Sequence, residues 1–128
     1  RVIIMKRDPR LVEFSREHHS ALKLGLLIKN SDDLALLTKE IKKLKGMLLS
    51  HFAEEEVDLL HLVRKIDKPA LLDRFEDDHK KLRRYLHQSE FTLEDVKAFG
   101  ALLTSHSRFE EQELFQAIQA YWSQIDEQ

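Results

Sequence analysis

The sequence predicts an all-α fold, an antiparallel up-down-up-down four-helix bundle. Its 128 residues include three glycines and two prolines, too few for the turns that a β-sandwich or barrel needs about every 8–12 residues. Apolar residues recur instead at steps of three and four, which keep them on one face of a helix. The predicted connections are short, and short connections favour antiparallel neighbours. We therefore predict a single domain over residues 1–128.

The predicted helices begin at capping signals. Asp8 and Pro9 form an N-cap followed by proline at the first helical position, and Pro69 repeats this start signal. Residues 30–33 (NSDD) indicate the end of one helix and the N-cap of the next. Thr92 and Asp95 have the spacing of a capping box. These signals place the helices at about 9–29, 32–65, 69–88 and 93–125.

Composition excludes several classes of function. The 21 Lys and Arg residues are balanced by 23 Asp and Glu residues, so no global charge favours nucleic acid or an anionic membrane as a partner. The sequence contains no cysteine, which excludes disulfides, thiolate metal sites, iron–sulfur clusters and a cysteine nucleophile. No apolar run approaches the roughly 18 residues of a membrane span. We expect a soluble, cytoplasmic domain.

Each predicted helix carries a titratable residue on its apolar face. The stripe of the first helix comprises Leu11, Phe14, His18, Ala21 or Leu22, and Gly25. That of the second comprises Leu44, Leu48, His51, Glu55, Leu59 and Leu62. That of the third comprises Leu72, Phe75, His79, Leu82 and Leu86. That of the fourth comprises Phe99, Leu103, His106, Glu110, Leu114, Ala117 and Tyr121.

These inward groups predict a metal site. An ionised glutamate is costly to bury unless a cation compensates it. Imidazole and carboxylate together suit Fe, Mn or Zn, and two bridging carboxylates suit a pair of metals. The His-x-x-x-Glu spacing of His51 and Glu55, repeated by His106 and Glu110, puts both donors on adjacent turns of one face. Because the same pattern occurs twice in the chain, chance placement of these histidines and glutamates on the apolar faces is disfavoured.

These motifs resemble those of the hemerythrin-like (HHE cation-binding) domains. The matching stretches are 15–19 (SREHH), 51–55 (HFAEE), 78–82 (DHKKL), 106–111 (HSRFEE) and 114–115 (LF). The resemblance extends from about Leu11 to Tyr121, nearly the whole chain. It implies a four-helix bundle around a non-haem di-iron site.

The resemblance also implies roles for individual residues. Terminal imidazole ligands are implied at His51, His79 and His106, and bridging carboxylates at Glu55 and Glu110. The ligand of the first helix is His18 or His19. The upstream stripe of Leu11 and Phe14 favours His18, whereas the family's apolar residues three and seven positions after the ligand favour His19, through Leu22 and Leu26. Outside the ligand set, a solvated face is predicted for Glu54, Glu56, Glu111 and Glu113, with the alternative that Glu54 or Glu111 orients a ligand. His61 and His87 are predicted to lie at the surface.

One departure from the family bears on function. Oxygen-carrying hemerythrins have an additional third-helix histidine four residues from its neighbour, whereas Phe75 and Arg83 occupy those positions around His79. Four histidines and two glutamates look more like the iron-sensing and iron–sulfur-repair members. The expected function is binding or sensing of oxygen, nitric oxide or iron at two Fe ions, with Zn or Mn as alternative metals. The alternatives are an oxidoreductase acting on oxygen, peroxide or nitric oxide with an unidentified redox partner, and a metal-free interaction bundle.

Overall fold

The computed structural model describes residues 6–126, which form four long helical rods. The elements are a 3₁₀ turn at Pro9–Leu11, α1 (Val12–Asn30), α2 (Leu34–Lys65), α3 (Pro69–Leu86), α4 (Leu93–Phe109), a π-helical segment (Glu110–Leu114) and α5 (Phe115–Asp126). The fourth rod is α4, the π segment and α5 in succession. No strand occurs among residues 6–126. The all-α prediction is confirmed, and the predicted boundaries agree within two residues when the 3₁₀ turn is counted with α1.

Side-chain caps fix the starts of three of the four rods. Asp8 accepts a hydrogen bond from the Arg10 N–H at the 3₁₀ turn, and Asp33 caps α2. At α4, the Thr92 hydroxyl accepts from the Asp95 N–H (3.0 Å) and the Asp95 carboxylate accepts from the Thr92 N–H (3.2 Å). The predicted capping box is therefore present, and each cap satisfies backbone donors that the first turn leaves free.

The rods contact one another in a closed ring: α1 with α2, α2 with α3, α3 with α4, and α4 with α1. Short connections at 31–33, 66–68 and 87–92 make sequential neighbours antiparallel. The core contains two apolar clusters, one around Ile41 and Phe99 and the other around Phe75 and Ile118. On every rod the predicted histidine lies between a residue of one cluster and a residue of the other.

The predicted stripe of the fourth rod is wrong beyond Leu114. Phe115 and Ile118 are buried there, whereas Ala117 and Tyr121 are only half-buried. The reason is the π segment, in which the Phe115 N–H bonds to the Glu110 carbonyl five residues earlier. This wider turn contains one residue more than an α-helical turn. The buried positions that follow it therefore fall one residue later in the sequence, at Ile118 instead of Ala117.

Glycine allows α1 and α4 to approach closely. A Cβ on Gly100 would lie 2.6 Å from Ile28 Cγ2, and one on Gly25 would clash with the Thr104 hydroxyl. The approach matters for the centre because His18 of α1 must reach residues of the fourth rod.

The substitution Gly100→Ala is expected to lower the free energy of unfolding by about 1–3 kcal/mol, because Ile28 must shift to admit the methyl group. The control is Gly46→Ala in α2, where the added Cβ meets nothing within 4 Å apart from its chain neighbours and the nearby backbone of its own helix. That change is expected to raise the free energy by about 0.5–1 kcal/mol. Urea denaturation measures both, and equal effects at the two positions would contradict the close approach of α1 and α4.

Candidate metal centre

Six of the predicted site residues meet in the middle of the bundle, each no more than 2% exposed. They form two overlapping groups in which one potential ligand atom from each residue lies within 4.8 Å of the others. The groups are His18, His51, Glu55 and Glu110, and Glu55, His79, His106 and Glu110. Glu55 and Glu110 belong to both groups, so the geometry provides two adjacent positions that share two carboxylates.

The inner nitrogen of each histidine faces these carboxylates. Glu110 Oε1 lies 2.7 Å from His18 Nε2 and 3.1 Å from His106 Nε2. Glu55 Oε1 lies 3.2 Å from both His51 Nε2 and His79 Nε2. Each glutamate therefore stands between imidazoles from two different rods.

Several of these buried atoms make no hydrogen bond within residues 6–126. They are His51 Nε2, His79 Nε2, His106 Nε2, both carboxylate oxygens of Glu55, and Glu110 Oε2. Their close approaches are therefore not aligned as hydrogen bonds. A buried polar atom without a partner is costly, and a cation bound among these atoms would satisfy them together. Imidazole nitrogen and carboxylate oxygen form the donor set of an Fe, Mn or Zn site.

The structure corrects the alternative of His19 as first-helix ligand. His18 is buried in the cluster, whereas His19 is exposed. One residue further along α1 is about 100° further around the helix, so both imidazoles cannot face the core. The buried residues three and seven positions after His18 are Ala21 and Gly25, whereas Leu26 is 59% exposed.

A second layer of carboxylates binds the outer nitrogen of each imidazole. The Nδ1 contacts are His18 to Glu111 at 2.6 Å, His51 to Glu17 at 2.8 Å, His79 to Glu56 at 2.8 Å, and His106 to Asp78 at 2.9 Å. Each carboxylate comes from the preceding rod of the ring, and the fourth rod serves the first. Such contacts set the tautomer and ring orientation of a metal-ligating histidine, so Nε2 of every ring is directed inward.

Sequence reasoning found only part of this layer. Glu111 contacts His18, in line with the alternative considered for it, whereas Glu54 is exposed and interacts with Ser50 on its own helix. The missed residues are Glu17, Glu56 and Asp78. A signal was present, because every member of the layer adjoins an inner residue: the pairs are 17–18, 55–56, 78–79 and 110–111. His61 and His87 are exposed, as predicted.

Guanidinium groups contact three of the outer carboxylates. Arg83 binds both oxygens of Glu56 (2.6 and 2.8 Å). Arg74 approaches Asp78 (3.4 Å), and Arg7 binds Glu111 (3.0 Å). Burial acts to raise the pKa of Glu56, but hydrogen bonds from His79 and Arg83 outweigh it and lower that pKa to about 2. Glu56 is therefore ionised across the neutral pH range.

The inner groups compensate one another in the metal-free protein. Burial opposes a charge on the imidazoles, but their carboxylate contacts outweigh it and raise the pKa of His18 to about 12, of His51 to about 10 and of His79 to about 11. The pKa of His106 is raised by Glu110 and Asp78 against the same effect of burial. Although burial again opposes it, the imidazoles hold the pKa of Glu110 well below its usual range. The imidazoles and the buried carboxylates therefore stabilise each other's charged forms.

Residues 10–118 match the family model of the hemerythrin HHE cation-binding domain. The chain belongs to the hemerythrin HHE cation-binding domain family. All six inner residues lie within the matched range, and their buried histidine and glutamate groups fit a metal site of the iron-binding kind. No individual curated protein and no solved structure matched the chain. Within residues 6–126, no helix of this hemerythrin-family domain has the length and apolar character needed to cross a membrane.

Proposed function

We propose that this hemerythrin-family chain is a non-haem di-iron protein that binds or senses a small ligand, oxygen or nitric oxide, or iron itself. The observation that carries the proposal is the set of buried, unpartnered nitrogen and oxygen atoms converging on two positions. His18 and His51 would hold one iron, His79 and His106 the other, and Glu55 and Glu110 would bridge them. Iron would supply open coordination positions and reversible one-electron oxidation.

The protein keeps water and large molecules away from these positions. Phenylalanine rings lie against the imidazoles: Phe75 is 4.3 Å from the His79 ring centroid, and Phe115 stacks on His18 at 5.3 Å. Since the six inner residues are almost fully buried, a diatomic molecule or a metal ion is the kind of ligand that fits.

The third rod offers no further imidazole to this site. Phe75 packs against the His79 ring, and Arg83 binds Glu56. Each position is therefore provided with two imidazoles and two shared carboxylates. This favours binding at open positions over specialised oxygen carriage.

Elemental analysis of freshly purified protein, with an ultraviolet–visible spectrum before and after exposure to air, tests the proposal. We expect two irons per chain, one for each group of four ligands, and ferric absorption that develops in air. The double variant His51→Leu with Glu55→Gln is expected to take up no iron and to melt at a lower temperature than the loaded wild type. The matched control is Glu54→Gln, which changes an exposed neighbour. If the wild type takes up no metal after anaerobic reconstitution with iron, the proposal is wrong.

The same open positions support a second candidate, an oxidoreductase that turns over oxygen, peroxide or nitric oxide with a redox partner. Stopped-flow measurements with an electron donor distinguish the two functions. A single stable adduct supports binding or sensing, whereas multiple turnovers support the enzyme.

A further inference from the structure

The segment that precedes the first helix is bound to the last one. In this N-terminal strap (residues 6–8), the Asp8 N–H and Arg7 Nη1 both donate to Gln119 Oε1, at 3.0 and 3.1 Å. The Gln119 side chain donates in return to the Lys6 carbonyl at 3.2 Å. Gln119 is 5% exposed and lies in α5. The strap is therefore attached to the rod that contributes Glu110.

Arg7 extends this attachment to the groups that hold His18. Its Nη2 donates to the side chain of Glu111 (3.0 Å) and to the Glu111 carbonyl in the π segment (3.3 Å). The other carboxylate oxygen of Glu111 contacts His18 Nδ1 at 2.6 Å. The guanidinium also lies 5.4 Å from the centroid of Phe115, the ring that stacks on His18. One arginine thus contacts both the hydrogen-bond partner and the stacking partner of one inner imidazole.

We propose that Arg7 is a positioning residue for the metal centre and couples the N-terminal strap to the position held by His18 and His51. The inference rests on the proposed metal function. Holding Glu111 and Phe115 fixes the His18 ring with Nε2 directed inward, which lowers the ordering cost of metal binding. The coupling is reciprocal, so metal bound there stabilises the strap to the same extent.

The other half of the centre has a comparable contact with a different connection. Arg83 binds Glu56, which contacts His79, but Arg83 belongs to α3 and not to a segment outside the rods. A movement of the chain before α1 therefore acts on His18 and leaves His79 in place. The strap gives a segment outside the bundle access to one of the two metal positions.

The test compares Arg7→Gln with Arg10→Gln. Arg10 is the matched control, because its guanidinium binds Asp8 and lies 3.7 Å from the centroid of the Trp122 ring. Stepwise Co²⁺ binding is measured by competition with a chelator. In Arg7→Gln we expect one of the two affinities to fall by about tenfold and the other to be unchanged. Arg10→Gln is expected to bind both ions as the wild type does.

Amide hydrogen exchange measures the reciprocal effect, that of bound metal on the N-terminal strap. Co²⁺ is expected to slow exchange of the Asp8 N–H, which bonds to Gln119, in the wild type and in Arg10→Gln but not in Arg7→Gln. The variant Gln119→Leu removes the same attachment independently and is expected to behave like Arg7→Gln. Wild-type affinities in Arg7→Gln, or equal losses in Arg7→Gln and Arg10→Gln, would overturn the proposal.

The experiment distinguishes a failure of the proposed metal function from a failure of the proposed role of Arg7. If the wild type binds no Co²⁺, the proposed metal function and the proposed coupling of the strap to it are both wrong. The positioning role of Arg7 is then decided in the metal-free protein, by NMR exchange of the His18 Nδ1 proton with water. We expect this exchange to be about tenfold faster in Arg7→Gln than in Arg10→Gln, since Glu111 loses its guanidinium. Equal exchange rates would show that Arg7 does not position His18.

Discussion

The substitution Glu110→Gln is expected to abolish binding of both metal ions and to lower the free energy of unfolding of the metal-free protein by about 3–5 kcal/mol. Glu110 lies within 4.0 Å of the inner nitrogen of all four imidazoles, the nearest at 2.7 Å. Glutamine keeps the size of the side chain but removes the charge. The metal positions lose a shared carboxylate, and the buried protonated histidines lose their main counter-charge.

The matched control is Glu113→Gln, three residues along the same π segment. The Glu113 side chain is 59% exposed, and its neutralisation is expected to change the free energy of unfolding by no more than about 0.5 kcal/mol. Metal analysis and chemical denaturation of both variants give the comparison. A Glu110→Gln protein that still bound two ions and unfolded like the control would contradict the assignment of Glu110 as a bridging group.

Five of the six inner residues were predictable from the sequence, because helical periodicity places them on the faces that are directed to the core. His51 and Glu55 are four residues apart among apolar residues, so a helix that buries Leu48 and Leu59 must bury them too. The capping box at Thr92 is equally local, because a four-residue pattern contains both of its hydrogen bonds. Short-range rules of this kind explain why the fold and the inner cluster follow from the sequence.

The outer carboxylates depend on contacts between rods, which periodicity does not specify. Glu17 lies on the flank of α1 and becomes a partner of His51 only through the angle and register at which α1 meets α2. The choice between His18 and His19 is similar, because the apolar pattern of α1 fits either register in part. Packing against the fourth rod selects the register that buries Ala21 and Gly25.

The π segment was unpredictable for the same reason. Residues 110–114 (EEQEL) contain neither glycine nor proline, so nothing local interrupts the helix. In the folded protein, consecutive residues Glu110 and Glu111 contact opposite nitrogens of the single ring of His18. The local widening of the helix accompanies this double contact, and such widenings are frequent at functional sites.

Metal binding is expected to be coupled to the release of about four protons, one from each inner histidine. The pKa values of His18, His51 and His79 are raised to about 12, 10 and 11, so these three rings are protonated at neutral pH, and the pKa of His106 is raised in the same direction. A ligating Nε2 must lose its proton. Two divalent ions then replace four protons, which leaves the charge of the buried centre unchanged.

The affinity for each ion is therefore expected to rise by about a hundredfold per pH unit between about pH 6 and 9. Co²⁺ titrations at several pH values and proton release in weak buffer measure this coupling. His61→Gln is the control, because it removes an exposed histidine outside the centre and is expected to leave proton release unchanged. Release of no protons would mean that the inner histidines are neutral before metal binds.

Stability of the metal-free protein is expected to show the opposite pH dependence. A raised histidine pKa gives stability that is fully present below the ordinary value of 6.5 and is lost as pH rises towards the folded values of 10 to 12. The lowered pKa of Glu56 gives stability that is present above 4.5 and is lost as pH falls towards 2. The metal-free protein is therefore most stable between about pH 4.5 and pH 6.5. Metal binding strengthens with pH, whereas the metal-free fold weakens. The increase in melting temperature caused by metal is therefore expected to be larger at pH 8 than at pH 6. An increase that does not depend on pH would refute this linkage.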